Sequence, residues 1–510
     1  MEWGLSGQVA LDTIEADFRG LPLAASAHAA IEAAMALGAG HVDVRVSRQR
    51  TRSASARDAR PLSVVADSLT GLGVRVLLDG VWGFASGDAV TPQAAAEVAA
   101  LAVAMARVAA PVARERIELA PEPVHAGRVW ASPVGIDPFA VPDAEVLALL
   151  ESRSAQLMGS PHVQRVDAGF HAFRDITYYA DSSGTDTLQQ RTRVAGDVAA
   201  FHVTDERFDD MSSCAPPAAR GWEYVVGDGT WDWDAELAAL PEWLAEKSLA
   251  PSVEPGRYDL VIDPTNLWLT IHESVGHATE LDRALGYEAN YAGSSFATLD
   301  QLGTLRYGSG RMHVTGDRTA PYGLATVGFD DEGVAAQSWD LVRDGTLVGY
   351  QLDRRMAAEH GFGRSNGCAF ADSAVHVPVQ RMPNVSLQPD PSGTDLAGLI
   401  AGVEDGIYIV GDKSWSIDMQ RYNFQFTGQR FLRIRSGQVV GQVRDVAYQS
   451  STPTFWAGLA ALGGPQTYLL GGALNCGKAQ PGQVAPVSHG CPVAVFEGIN
   501  VLNTRQEAHA

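Results

Sequence analysis

The stretch RYDLVIDPTNLWLTIHESVGHATELD, Arg257 to Asp282, passes from a strand-like run into a helix, and its reading decides how the second half of the chain is built. Asp263 offers an N-cap oxygen, and Pro264 stands at the first helical position, where its missing N–H costs nothing. Leu267, Ile271 and Val275 follow at helical spacing as one apolar stripe. His272 and His277 are five positions apart, which on a regular α-helix sets them about 140° apart around the axis, against about 40° for a spacing of four. Two such imidazoles meet one metal ion only if the helix is distorted. A single π turn does this, and Gly276, directly before His277, weakens the helix at that point. The sequence therefore predicts a helix distorted around Gly276, with Glu273 next to the first histidine in the place of a general base beside a catalytic zinc. The plainer reading of the same three residues is two partly buried histidines with ordinary hydrogen bonds and a surface glutamate.

Around this helix the pattern is α+β, with antiparallel sheets joined by hairpins. An alanine-rich helical segment from Ala24 to Gly38 leads into the alternating strand HVDVRVS, His41 to Ser47. GLGVRVLLDGVWGFAS holds two apolar runs joined at Asp79-Gly80, a dipeptide suited to the positive φ of a tight turn. A helix is expected from Pro92 to Val108, and antiparallel strands across YYADSSGTDTLQQRTRVAGDVAAFHV. Two more hairpins are marked by Asp344-Gly345 and Ser436-Gly437. Proline-rich junctions divide the chain into an N-terminal α/β-type region, 1–225, itself divisible near 111–124, and a β-rich metal-binding domain, 226–510, with few long helices.

The chain of 510 residues carries 38 basic and 60 acidic side chains, a net charge of -22, and no basic run, which speaks against nucleic acid or an anionic lipid surface as partner. The alanine-rich window AAAEVAALAVAMARVAAPVA is broken by Glu97 and Arg107 and fits a packed helix better than a membrane span. The acidic N-terminus MEWGLSGQVALDTIEADFRG does not look like an export leader, so a soluble cytoplasmic protein is expected. Four scattered cysteines are too few for a disulfide framework, so reduced thiols are expected.

A catalytic zinc needs a third protein donor. Glu280, Asp282, His313, His376, His489 and any of the cysteines qualify; Cys476 stands out, placed by the sequence in a glycine-dense loop with Lys478 near enough to favour the thiolate. At this point the chain resembles the TldD/PmbA metallopeptidases. HVDVRVSRQRTRSASARD and GLGVRVLLDGVWGFAS resemble the N-terminal region of that family. HESVGHATELD, VGFDDEG, HVPVQRMPN, EDGIYIVG and CGKAQPGQVAPVSHGCP resemble successive motifs of its C-terminal domain. The resemblance implies His272, His277 and Cys476 as ligands of one Zn2+ per chain and Glu273 as the catalytic base. It also implies an intracellular peptidase acting on peptides or unfolded protein segments, commonly as a homodimer or as a heterodimer with a metal-less paralogue. The chain keeps all four residues, as the metal-bearing TldD branch does. It departs from the family in CGKAQPGQ, where the usual CGK-x-GQ gains two residues, and in DKSWSIDMQRYNF, which replaces a glycine-rich segment; both bear on substrate choice.

The oxyanion-stabilising residue is not identified by sequence, though His376, His489, Arg421 and Tyr422 lie in motif-like stretches. Glu280 and Asp282 read equally as acceptors that fix imidazole tautomers and as a solvated helix end. FDDEG, Phe329 to Gly333, reads as a turn or surface ladder rather than a hard-cation site. The leading function is a zinc-dependent peptidase. The alternatives are a non-catalytic binding or assembly subunit with a structural or absent metal, and a hydrolase of a non-peptide bond.

Overall fold

The computed structural model describes residues 11–204 and 208–507, so the first ten residues of the stretch read as lacking a leader lie outside it. One seven-stranded sheet carries the first half, in the order Val81–Gly87, Arg60–Leu78, His41–Arg57, Arg165–Asp181, Asp186–Val203 and Arg128–Ala131, with Phe208–Ser212 added beside Asp186–Val203. Neighbours are antiparallel except Arg128–Ala131, which runs parallel to Asp186–Val203. The strand that begins HVDVRVS continues to Arg57 and turns back at Asp58 and Ala59, with φ of 49° and 58°. No Asn-Gly or Asp-Gly pair marks that turn, and the alternation fades after Ser47, so the sequence shows only the start of the strand.

Val42, Val44 and Val46 are fully buried on one face of the sheet, beneath alanines of the helices Leu23–Ala36 and Pro92–Ala109. The small side chains allow a close approach: a Cβ on Gly83 would lie 2.0 Å from the carbonyl oxygen of Ala102. Pro92–Val112 is long and apolar enough to cross a membrane by length and composition; its Ala95, Ala99, Ala102 and Ala106 lie in this core, while Leu101, Met105 and Val108 face outward. The opposite face of the strand, His41, Asp43 and Arg45, is buried as well, because the second half of the chain covers it. Arg75 joins the halves, donating from Nε to Asp43 at 2.9 Å and from Nη1 to Glu332 at 2.9 Å. Further along the sheet, Asp143–Met158 and Trp233–Leu249 pack on Phe170, Val194 and Val198 in a separate core.

In the second half a sheet runs Asp405–Ile417, Gly256–Ile262, Ala494–Asn503, Val446–Ser451, Asn423–Arg435 and Gln438–Val443. Asp405–Ile417 also pairs with Asn423–Arg435, which closes five strands into a ring around the core. Asp79-Gly80, Asp344-Gly345 and Ser436-Gly437 all sit at hairpin turns with positive φ, as expected. Beyond Leu249 the longest α-helix among the described residues is Pro264–Ile271, so this half is strand-rich with short helices. The fold is α+β with antiparallel sheets, as the sequence indicates.

Candidate metal centre

Strand Gly256–Ile262 is one of the five strands of the ring and delivers the chain into the histidine helix. Asp263 Oδ1 accepts from the N–H of Thr265 at 3.0 Å, and Pro264 opens the helix, so the expected cap is present. Asn266 fastens the first turn by donating to the carbonyls of Gly411 and Thr427, each at 2.9 Å. Regular α-helix ends at Ile271; His272–Gly276 forms a π turn and His277–Thr279 a 3₁₀ turn. Changes of helical pitch leave carbonyls without backbone donors, and each must find another partner. Gln351 Nε2 donates to Gly276 O at 2.6 Å, Thr279 Oγ1 to Val275 O at 2.8 Å and Ser295 Oγ to Ala278 O at 2.6 Å, while Tyr307 donates its hydroxyl to Ser274 O. Gly276 matters for space as well as for helix preference, since a Cβ there would lie 3.1 Å from Met382 Sδ. The outcome is that the two imidazole centroids lie 4.7 Å apart.

Cys476 is not in a loop, contrary to the sequence reading. It lies in Leu469–Lys478, which pairs antiparallel with Gln483–Cys491, and the glycines there permit close packing: a Cβ on Gly471 would lie 2.7 Å from Trp268. Cys476 Sγ is 3.5 Å from His277 Nε2, and the donor atoms of His272, His277 and Cys476 all lie within 4.8 Å of one another, buried. Donors at about 2.3 Å (sulfur) and about 2.0 Å (nitrogen) from one tetrahedral zinc lie about 3.5 Å apart, so this pair has a fitting separation.

Hydrogen bonds also prepare the donors. A carbonyl only accepts, so His489 Nδ1 carries the proton that it gives to Val385 O at 2.9 Å. Its bare Nε2 then accepts from His272 Nδ1 at 2.7 Å, which leaves His272 Nε2 with a free lone pair. His277 Nδ1 donates to Glu280 Oε2 at 2.9 Å, which frees His277 Nε2 in the same way. Burial holds all three imidazoles below the ordinary histidine value and so in the neutral form. Burial alone would push the Cys476 thiol up, but its charged surroundings, Arg381 first among them, outweigh it and hold the thiol below its usual value. Arg381 is fully buried and donates from Nη2 to Cys476 O at 2.8 Å. Neutral imidazoles and a thiolate-prone cysteine form a donor set that suits zinc.

Lys478 does not serve the thiolate as expected; its ammonium lies between Glu280 Oε1 at 3.1 Å and Asp282 Oδ1 at 2.8 Å. Glu280 takes the acceptor role towards His277. Burial opposes its ionisation, but Lys478, His277 and Arg283 hold it well below the usual carboxylate range. Asp282 pairs with Lys478, and no imidazole partner for it is found among the described residues. Both oxygens of Glu273 are gripped: Trp415 Nε1 donates to Oε1 at 2.9 Å and Arg421 Nη1 to Oε2 at 2.8 Å. Both partners belong to the segment DKSWSIDMQRYNF.

Of the oxyanion candidates, Arg421 is thus committed to Glu273 and His489 to His272. Tyr422 packs edge-on against Phe296, with ring centroids 5.6 Å apart, and His376 pairs with Asp372 at 2.6 Å. His313 pairs with Asp340 at 2.8 Å, and the four cysteines are free thiols. FDDEG forms a turn, with Asp330 Oδ1 accepting from the N–H groups of Glu332 and Val334 at 2.9 Å each, but it is buried against Arg75 instead of lying at the surface. Sequence reasoning passed over Gln351, Trp415 and Arg381. Arg381 and Trp415 carried a signal, their places in HVPVQRMPN and DKSWSIDMQRYNF.

Residues 255–503 match the model of the PmbA/TldA metallopeptidase C-terminal domain, and residues 42–106 match that of the PmbA/TldA metallopeptidase domain 1. The chain belongs to the TldD/PmbA metallopeptidase family. A metalloprotease of Methanothermobacter thermautotrophicus is 27% identical over 460 residues, 89% of this chain and 93% of the relative. A zinc metalloprotease TldD homolog of Saccharolobus solfataricus is 23% identical over 222 residues, 43% of this chain and 47% of the relative. TldE from Thermococcus kodakarensis shares the fold, with a TM-score of 0.70 at 15% identity over 92% of this chain and 98% of that chain. The likeness of metalloprotease relatives supports a peptidase-family role.

Proposed function

We propose that the chain is a zinc-dependent peptidase in which His272, His277 and Cys476 hold one zinc ion and Glu273 is the general base. The observation that carries this reading is the convergence of the three donor atoms within 4.8 Å, with both imidazole Nε2 atoms free of hydrogen. Zinc held there supplies Lewis acidity, which makes water a better nucleophile near neutral pH and a peptide carbonyl a better electrophile. Glu273 takes the proton of the attacking water on a carboxylate oxygen and returns it to the departing amine nitrogen. Each of its oxygens accepts one hydrogen bond and keeps a lone pair for that purpose. Trp415 and Arg421 hold the carboxylate in one orientation. Trp415, Met419 and Tyr422 expose an apolar surface beside it that suits an extended, unfolded peptide.

Metal analysis of the purified protein is expected to find about one zinc per chain. Cys476→Ala loses it, whereas Glu273→Ala keeps zinc and cleaves no peptide in an unstructured mixture read by mass spectrometry. Full cleavage by Glu273→Ala would remove the proposed base. The cytoplasmic location and the pairing with a like or metal-less subunit belong to the same proposal, and sedimentation of the purified chain alone and with candidate paralogues tests the pairing. One observation favours the non-catalytic alternative: both Glu273 oxygens are already engaged. Zinc-replete wild-type protein that cleaves nothing would establish it.

A further inference from the structure

We propose that the cavity behind Lys478, between the two halves of the chain, is a subsite for a basic side chain, lysine or arginine, of a peptide. This deepens the peptidase reading and rests on it. The cavity holds about 440 Å³, and Trp82, Tyr287 and Tyr291 are among the residues that line it, giving aromatic walls for an alkyl stem or a guanidinium plane.

The accounting of its charges points to a cation. Four carboxylates line it, those of Asp282, Glu288, Glu332 and Asp353. Glu332 is spent on Arg75 and on the N–H of Arg354, both at 2.9 Å, and Asp282 is spent on Lys478. Asp353 Oδ1 accepts only the N–H of Met356 at 2.7 Å, and Glu288 has only the N–H of Ala479 at a long 3.5 Å. Among the described residues no basic side chain forms an ion pair with either of these two. The basic residues of the lining are already taken: Arg75 by Asp43 and Glu332, Arg355 by Glu115 and Glu359. Burial and the nearby Glu332 push Asp353 up to about 7, as befits a carboxylate that lacks a counter-ion.

A second observation points to a ligand with a carbonyl. Gln380 lines the cavity at 1% exposure, and its Nε2 has no hydrogen-bond partner, while its Oε1 faces the N–H of Asp282 at 3.4 Å. A buried donor of this kind calls for an acceptor, and a peptide backbone carbonyl provides one. A divalent ion fits less well, because the only group of metal-type donors brought together among the described residues is His272, His277 and Cys476.

The cavity communicates with the metal centre through a chain of contacts: Asp282 to Lys478, Lys478 to Glu280, Glu280 to His277. Ala479 and Gln480, in the connection between Leu469–Lys478 and Gln483–Cys491, form part of its wall.

The test uses the zinc-loaded full chain carrying Glu273→Ala, so that bound peptide survives, with two probes measured by calorimetry. One is acetyl-Ala-Ala-Arg-Ala-Ala-amide, and the other has citrulline, the neutral isostere, in place of arginine. The arginine peptide is expected to bind at least about tenfold more tightly, the worth of a charge-assisted hydrogen bond. Asp353→Asn, which keeps the oxygen that caps Met356, and Glu288→Gln are each expected to shrink that ratio. Thermal unfolding reports whether either variant is folded, and a misfolded one leaves the other to answer. Equal binding of the two probes, or a ratio untouched by both substitutions, overturns the subsite. Wild-type protein that cleaves peptides with no such ratio removes the subsite and leaves the peptidase reading intact. The ratio in Glu273→Ala, together with zinc-loaded wild-type protein that cleaves no peptide, supports the subsite and removes the catalytic reading instead.

Discussion

His489 gives its only proton to the carbonyl of Val385, so what it presents to His272 is a lone pair, and that alone decides which nitrogen of His272 is left for a metal. Replacing His489 with Ala removes the acceptor but leaves all three proposed ligands. Partners of this kind are worth about 10–100-fold in metal affinity, and a loss of that size is expected when the variant competes with a chelator for zinc. His489→Gln, which can offer a carbonyl oxygen to His272, is expected to recover part of it. Unchanged affinity in His489→Ala would show that His272 is oriented by packing alone. This role is invisible in sequence: His489 lies 217 positions from His272, and only the folded contact shows which ring nitrogen faces which partner. The proposed ligand set comes from the resemblance of its motifs to a family, since residue types alone leave the third donor open among several side chains. Arg381 stands in the motif stretch HVPVQRMPN, but its burial beside the thiol comes from the folded contact alone.

At the level of elements, the π turn His272–Gly276 was foreseeable from the five-residue spacing, since no regular helix brings the two rings together. What sustains it was not foreseeable. Gln351, from a segment seventy-five positions on, caps the carbonyl of Gly276 and also bonds Thr279 Oγ1 at 2.8 Å. Gln351→Leu leaves that buried carbonyl without its donor, at an expected cost of about 1–3 kcal/mol, read as a lower midpoint in urea unfolding. Zinc affinity should fall with it, because the end of the turn places His277; a variant with lowered stability and intact affinity would separate the two roles. Hairpins marked by Asp-Gly and Ser-Gly pairs were legible because positive φ is a demand local to the turn. The closure of the second sheet was not, since Asp405–Ile417 must pair in parallel with Gly256–Ile262 and antiparallel with Asn423–Arg435. No local signal sets the register between strands so far apart.

Across the whole molecule, the two halves meet through charge along the strand that begins HVDVRVS. Its polar face is buried, and Arg75 compensates it by spanning Asp43 and Glu332, a contact that crosses from the first sheet to the FDDEG turn. Burial opposes ionisation of Asp43, but Arg75 outweighs it and holds the acid below its usual value; the two acids in turn hold Arg75 above its own. A buried pair of this sort adds little beyond what well-packed apolar groups would give, yet breaking it is costly, because the charges left behind have no solvent to stabilise them. Arg75→Met strands two carboxylates and is expected to cost about 3–5 kcal/mol in equilibrium unfolding. Adding Asp43→Asn to Arg75→Met removes one of the stranded charges, so the double variant should recover part of the loss, a coupling that a double-mutant cycle reads directly. If Arg75→Met cost less than about 1 kcal/mol, in the range of exposed pairs, water would have to reach this interface. The halves would then be held by apolar contact alone.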